Sequence, residues 1–307
     1  MPTGRSEIAV ETQGLRKVYG RKVAVEDLSL KVGQGEVFGF LGPNGAGKTT
    51  SLKMLLGLVL PTAGSGRLLG HPLGIPETRR NIGFLPEQFR FHEWLRAGEF
   101  LDFHGRLYGM SADRRRKRVG EALEMVGLSD NINQRLSTFS KGMLQRAGLA
   151  QAILNEPPLV FLDEPTSGLD PLGRRQVRDI IIHLKQTGAT VFLNSHLLSE
   201  AERVCDRVAI INQGKVVRQG ALAELLSGNL EVDIRLMEPA PAALDALSRL
   251  SPSVKGADSQ FTVRVEREET IPLLAEAVLQ NGGRLLALVP RRSTLEDYFV
   301  QVIEGST

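Results

Sequence analysis

The run Gly42-Pro43-Asn44-Gly45-Ala46-Gly47-Lys48-Thr49 fits the pattern G-x-x-x-x-G-K-[ST] at every fixed position. Its glycines let consecutive backbone N–H groups converge on phosphate oxygens, because no Cβ blocks the approach. A lysine in the place of Lys48 can bridge the outer phosphates of a nucleoside triphosphate, and the Thr49 hydroxyl can reach Mg²⁺. A second pair of chemical groups follows the apolar run Leu159-Val160-Phe161-Leu162, which ends in Asp163-Glu164. Two adjacent carboxylates at the end of a buried strand are expensive to desolvate without a task. Asp163 is placed to meet the magnesium shell, and Glu164 to act as the general base for an attacking water. The competing use, a cap ahead of Pro165, needs one acid and not two.

Both groups must be held by a strand that stops where they begin. The apolar stretch 36–41 supplies one before Gly42, and 49–58 has helical spacing after Thr49. The loop therefore stands at a strand-to-helix junction, where the helix N-terminus adds positive potential. Short apolar runs at 159–162 and 190–194 lie between helical stretches, the pattern of buried parallel strands in an α/β core. Helices are expected at 96–108, 113–126, 141–154 and 173–186.

Toward the N-terminus, 8–10 and 28–32 read as strands, with Gly14 closing the first. Gly64-Ser65-Gly66 is expected to break the chain before a short strand at 67–69. Strands at 207–211 and 215–219 flank Asn212-Gln213-Gly214 as a hairpin. The first domain is expected to span 5–227. From 228 to 307, segments at 232–236, 242–250, 253–256, 261–265, 271–280 and 285–289 read as strand, helix, two strands, helix, strand. That order predicts a small α+β domain of split βαβ type, and Ser293 with Glu296 predicts a capping box that opens a last helix.

The 307 residues allow one large core or two unequal ones, and 42% apolar with 24% charged content excludes a disordered or membrane-embedded chain. A net charge of +3 is too small to indicate a nucleic-acid partner, and none is expected. The densest basic run, Arg114 to Arg118, precedes Val119, Leu123 and Val126 and reads first as the solvated start of a surface helix, with anionic lipid contact as the sharper alternative. The single cysteine, Cys205, reads as a packed thiol in a reducing compartment. No stretch approaches the ~20 apolar residues needed to span a bilayer, so any membrane part is expected on another chain.

Phe139-Ser140-Lys141-Gly142-Met143, followed by Gln145-Arg146, resembles the Leu-Ser-Gly-Gly-Gln signature of the nucleotide-binding subunits of ATP-binding-cassette (ABC) transporters, with its serine and second glycine retained. Ser167-Gly168-Leu169-Asp170 after Glu164 resembles that family's D-loop, and His196 resembles its switch histidine. The resemblance covers roughly 8–227 and implies a P-loop ATPase core with an antiparallel β subdomain carrying Tyr19 and a helical subdomain carrying Ser140. It implies ATP on Gly42 to Thr49 and Thr50, with Ser140 and Gly142 of a second copy closing the site and Asp170 among the nucleotide-binding residues. Tyr19 would stack on adenine, although a lone tyrosine there also suits strand packing. Aligning Ile82-Gly83-Phe84-Leu85-Pro86 puts Glu87 at the glutamine-loop position as a Mg²⁺ ligand beside Thr49 and Asp163, with Gln88 the alternate. The tail is similar to the C-terminal extension of ABC-2-type exporter ATPases of the drug-resistance and copper-maturation kinds.

The expectation is an ATP-hydrolysing subunit of an exporter, peripheral on the cytoplasmic face of the membrane, in which two copies sandwich two ATP molecules and drive a separate permease. Phe89, Phe91 and Trp94 are candidates to receive the permease, and ordinary packing beneath a loop is an equal reading. A rival class, soluble ABC ATPases that act on ribosomes or DNA, tends to carry two cassettes or a long coiled-coil insertion. A third is a regulatory ATP-binding module whose tail is the effector.

Overall fold

A computed structural model describes residues 8–89, 91–226, 230–237, 241–251, 253–265, 269–292 and 294–305. The chain divides into two compact units, one ending at Ala221 and one running Leu222–Gly305.

The first unit is built on five parallel strands in the spatial order Ile82–Leu85, Leu159–Asp163, Thr190–Ser195, Val37–Leu41, Arg207–Asn212. Every residue of Val37–Leu41, Leu159–Asp163 and Thr190–Ser195 is buried, which is why these segments read as unbroken apolar runs rather than alternating ones. Phe192 anchors the layer, with ring centroids of Phe38, Phe40 and Phe161 lying 5.6, 5.5 and 5.2 Å away. The register sets Leu41 opposite Ser195 and Asp163 opposite Asn194, so the loop after the first strand and the acids after the second emerge at one edge.

The sheet continues through Lys215–Ala221, which is antiparallel to Arg207–Asn212 and parallel to Lys22–Leu28, and then through the antiparallel run Lys22–Leu28, Ile8–Tyr19, Ala63–Leu68 and His71–Pro72. Two sequence expectations fail here for one reason. The first strand runs Ile8–Tyr19 straight through Gly14, and Ala63–Leu68 contains the Gly64-Ser65-Gly66 that was expected to break the chain. These strands pair with each other, Gly14 and Gly64 both have positive φ (56° and 84°), and a Cβ on Gly64 would fall against the Gly14 carbonyl. The glycines permit a close irregular pairing instead of ending it. The expected strand 28–32 is two strands, Lys22–Leu28 and Lys31–Gly33, separated by a bend at which Leu30 N–H donates to Thr12 Oγ1 at 2.9 Å.

Helices occupy Ala97–Leu107, Ala112–Met125, Lys141–Ile153 and Pro171–Gln186, within a few residues of their expected ends. The basic run is not a wholly solvated face. Arg118 is 8% exposed and donates to Leu154 O at 3.1 Å, Ile153 O at 3.3 Å and Glu121 Oε2 at 2.6 Å. Arg115 donates to Asp102 at 2.7 Å and Met110 O at 2.8 Å. Arg118 thus satisfies carbonyls that the end of Lys141–Ile153 leaves without intrahelical partners. Arg114, Arg116 and Lys117 remain exposed.

The second unit has the antiparallel strand order Ser253–Ala257, Gln260–Val265, Leu230–Leu236, Leu285–Arg292. Helices Pro241–Leu250 and Thr270–Gln280 set Leu247, Leu274 and Val278 against Val232, Ile234, Val263 and Val265. This is the split βαβ order. The last helix, Leu295–Glu304, opens one residue later than expected: Thr294 Oγ1 accepts from Asp297 N–H at 3.2 Å, and the Asp297 carboxylate accepts from Thr294 N–H at 3.0 Å. Both pairs have capping-box spacing, and Thr294 with Asp297 takes the role. Ser293 lies outside the described residues.

Candidate active site

The loop after Val37–Leu41 has room for backbone only at two of its glycines, Gly42 and Gly47. A Cβ on Gly42 would fall against Ile211 O, and Gly47 combines φ of 104° with a Cβ position 2.5 Å from Ala24 O. Gly47 caps the helix Lys48–Leu55 without a side chain, leaving the first-turn N–H groups free to face an anion. Lys48 Nζ sits inside the loop, donating to Gly42 O at 2.7 Å and Pro43 O at 3.3 Å. Burial pulls the lysine pKa down, and the charges of Glu164, Asp163 and Glu87 work against that pull.

A cleft of about 440 Å³ opens on this loop, and Thr49, Thr50, Glu87, Asp163, Glu164 and His196 share its lining with Lys48. Asp163 is 4% exposed and accepts from Asn194 Nδ2. Burial raises the Asp163 pKa; the Asn194 hydrogen bond opposes the rise, and the neighbouring Glu87 and Glu164 reinforce it. Glu164, 6% exposed, has φ of 52°, a left-handed conformation uncommon for a residue with a side chain. Its N–H donates to Asn194 O at 2.9 Å, and its Oε2 lies 2.7 Å from His196 Nδ1. A carboxylate held this way has one oxygen engaged by an imidazole and faces the cleft, the position required of a base acting on water beside a phosphate.

The residues present fit Mg²⁺. Thr49, Asp163 and Glu87 supply oxygen to one cleft, and the buried Oδ1 of Asn194, in the same lining, has no partner. Among the described residues no cluster of three or more His, Cys, Asp or Glu could hold a metal alone, so Mg²⁺ here would share its shell with phosphate oxygens and water.

Other expected residues stand apart from the cleft. Ser140 caps Lys141–Ile153, accepting from Met143 N–H at 3.3 Å, and Asp170 caps Pro171–Gln186, accepting from Gly173 N–H at 2.8 Å. Ser140, Gly142 and Asp170 are absent from the cleft lining among the described residues. Lys141 lies over Gly168, where its ammonium leaves no room for a Cβ. Tyr19 is 47% exposed, with Lys17 Nζ 5.0 Å from its ring centre; its strand partner Lys22 lines the cleft and Tyr19 does not. Glu87 is in the lining and Gln88 is not. The aromatic trio separates: Phe89 and Phe91 pack on each other at 4.4 Å and on Phe100 at 5.9 and 5.5 Å, whereas Trp94 is 70% exposed.

Sequence reasoning missed Lys22, Val23 and Ala24, the Gln213-Gly214 turn, and Asn194. The turn reaches the loop because Gly214 N–H donates to Ala46 O at 2.9 Å while its carbonyl accepts from Glu26 N–H at 2.8 Å. The hairpin signal at Asn212-Gln213-Gly214 was legible, but only sheet pairing shows what it abuts.

A parallel α/β core with a glycine loop and lysine at one strand end and an acid pair at the next defines a P-loop nucleotide-binding protein. Comparison with known proteins supplies the family: the ABC transporter family model matches residues 25–167. An uncharacterized ABC transporter ATP-binding protein of Synechocystis is 42% identical over 302 residues, spanning 95% of this chain and 84% of that protein. The bacitracin transport ATP-binding protein BcrA of Bacillus licheniformis is 35% identical over 304 residues, spanning 97% of this chain and 98% of its own. A dimeric ATP-binding cassette solved in a post-hydrolysis state with ADP and Pi aligns at a TM-score of 0.64 and 28% identity, covering 69% of this chain and 98% of that one. The chain belongs to the ABC transporter family as an ATP-binding subunit, an ATP hydrolase.

Proposed function

We propose that this subunit works as a pair in which each copy holds ATP on its own Gly42 to Thr50 loop and the other copy closes the site with Ser140 and Gly142. One observation carries this reading. Lys48, Asp163, Glu164 and His196 line one cleft, whereas Ser140 and Gly142, at the N-terminus of Lys141–Ile153, are not among its described lining residues. A second copy would bring that N-terminus, with its positive potential, to the outer phosphate. Asp170 would sit at the same junction.

Within one copy, Lys48 binds the outer phosphates and Tyr19 covers the adenine. Thr49, Asp163 and Glu87 would hold Mg²⁺, with Gln88 the alternate; when bound, the cation would offset the negative charge of the phosphate oxygens. Glu164 takes the proton of the attacking water, and His196 orients the carboxylate through its 2.7 Å contact. The exposed Trp94, beside His92 at 5.0 Å, marks the face that a permease would engage. The bacitracin transport relative supports a transport role, and we read that role as export driven from the cytoplasmic face of a membrane. The unit ending at Ala221 would be the ATPase domain, and the unit Leu222–Gly305 an accessory domain for pairing or regulation.

Gly142→Asp tests the composite site. It places a carboxylate against the incoming phosphate, so hydrolysis is expected to vanish while a single copy still binds a fluorescent ATP analogue. Retained hydrolysis would contradict the closing role. Purification of the tagged chain from membranes is expected to recover a polytopic partner, and repeated recovery of ribosomes instead would overturn the transport reading.

A further inference from the structure

The cleft is more negative than a polyphosphate site requires. Two lysines, Lys22 and Lys48, face three carboxylates, Glu87, Asp163 and Glu164, in one lining. A third carboxylate opposes phosphate binding by like-charge repulsion unless a cation stands between them. Glu87 is near enough for its charge to act on both Asp163 and Lys48, so it belongs to the same electrostatic cluster rather than to the surface beyond it.

The second observation is an unmet acceptor. Asn194 is 1% exposed and lines the cleft; its Nδ2 is committed to Asp163, and its Oδ1 has no partner. A buried amide carbonyl without a donor is unfavourable, and positive charge placed near it lowers that cost. Glu87, Asp163 and the Thr49 hydroxyl give the cleft an oxygen-only set, suited to a small hard cation that keeps several waters, and Asn194, bonded to Asp163, lines it with them.

We propose that Glu87, acting with Asp163, lets this cleft hold a hard divalent cation before any nucleotide enters. The phosphates then arrive at a cleft whose excess negative charge is already neutralised. A glutamine at this position would offer an oxygen without the charge, leaving the empty cleft with two lysines against two carboxylates. The proposal rests on reading the cleft as the ATP and magnesium site.

The test uses the full chain stripped of nucleotide and metal, with Mn²⁺ as the probe and its free electron-paramagnetic-resonance signal as the readout. The expected result is about one Mn²⁺ bound per chain without nucleotide, displaced by Mg²⁺, and bound on the order of tenfold more weakly by Glu87→Gln. Glu87 is exposed, and equal melting temperatures of the two metal-free proteins check that the substitution leaves the fold intact. A wild-type chain that leaves the Mn²⁺ signal unchanged, or a Glu87→Gln chain that binds Mn²⁺ as tightly, overturns the proposal. Binding of a fluorescent ATP analogue in EDTA separates the levels. A chain that binds the analogue but no Mn²⁺ overturns this proposal alone, and one that binds neither also overturns the reading of the cleft.

Discussion

His196 Nδ1 lies 2.7 Å from Glu164 Oε2, although the two residues are 32 positions apart in the chain. Each follows the end of a core strand, and those strands are paired with Asp163 opposite Asn194, so sheet register alone brings the side chains together. If His196 orients the base rather than binding nucleotide, His196→Ala lowers kcat by roughly tenfold or more and leaves KM for ATP nearly unchanged. Steady-state hydrolysis across ATP concentrations checks this, and an unchanged kcat removes His196 from the chemistry.

Two loop glycines differ in a way that substitution should reveal. Gly45 and Gly47 both have positive φ, 82° and 104°, but a Cβ on Gly45 meets nothing within 4 Å while one on Gly47 meets Ala24 O at 2.5 Å. Gly45→Ala carries backbone strain alone, on the order of 1 kcal/mol, and Gly47→Ala adds a clash with a fixed strand. The expected order is a small loss of melting temperature for the first and a larger loss, with weakened ATP-analogue binding, for the second. Equal effects would contradict the crowding at Gly47.

Arg118 and Arg116 should separate the buried from the solvated part of the basic run. Arg118→Met orphans the Ile153 and Leu154 carbonyls, with an expected loss of about 2–4 kcal/mol in urea unfolding. Arg116→Met, on an exposed side chain, is expected to stay within about 0.5 kcal/mol.

His104 gives the helical region an acid sensitivity. Burial, and then the charge of His92, lower its pKa from 6.5 to about 4, and its ring packs against Phe100 at 4.7 Å and Phe103 at 5.5 Å. The unfolded chain takes up a proton near 6.5 that the folded chain refuses until about 4. Its contribution to stability is therefore complete above 6.5 and is lost as pH falls toward 4, after which both states are protonated. Between about pH 7.5 and about pH 5 the wild type should lose on the order of 1–2 kcal/mol more unfolding free energy than His104→Gln. Equal losses would show that the imidazole is not excluded from water.

The parts of the site legible in the sequence are those where chemistry and chain order coincide. Gly42 to Thr49 is contiguous because one turn must surround the phosphates, and Asp163-Glu164 is contiguous because one strand end presents both acids. Asn194, Lys22 to Ala24 and Gly214 carry no local mark, since they reach the cleft through strand pairings such as Lys215 with Asp27 and Asp163 with Asn194. Glycines misled for the converse reason: Gly14 and Gly64 have the composition of a break, but in an antiparallel pair the same freedom allows close approach. Arg118 reads from sequence as part of a charged face because composition does not show which side of a helix meets the carbonyls of another. The alternation of the second unit was readable because its sheet buries a single face, as Val232, Ile234 and Leu236 illustrate.

The most direct test of the two-copy ATP clamp is Glu164→Gln, which keeps the shape of the side chain and removes its basicity. Hydrolysis is expected to fall by about 10²-fold or more. In sedimentation with ATP and Mg²⁺ the variant is expected to run at twice the single-chain mass and to return to that mass when nucleotide is removed. Full hydrolytic activity, or a single-chain mass at saturating ATP, would contradict the account.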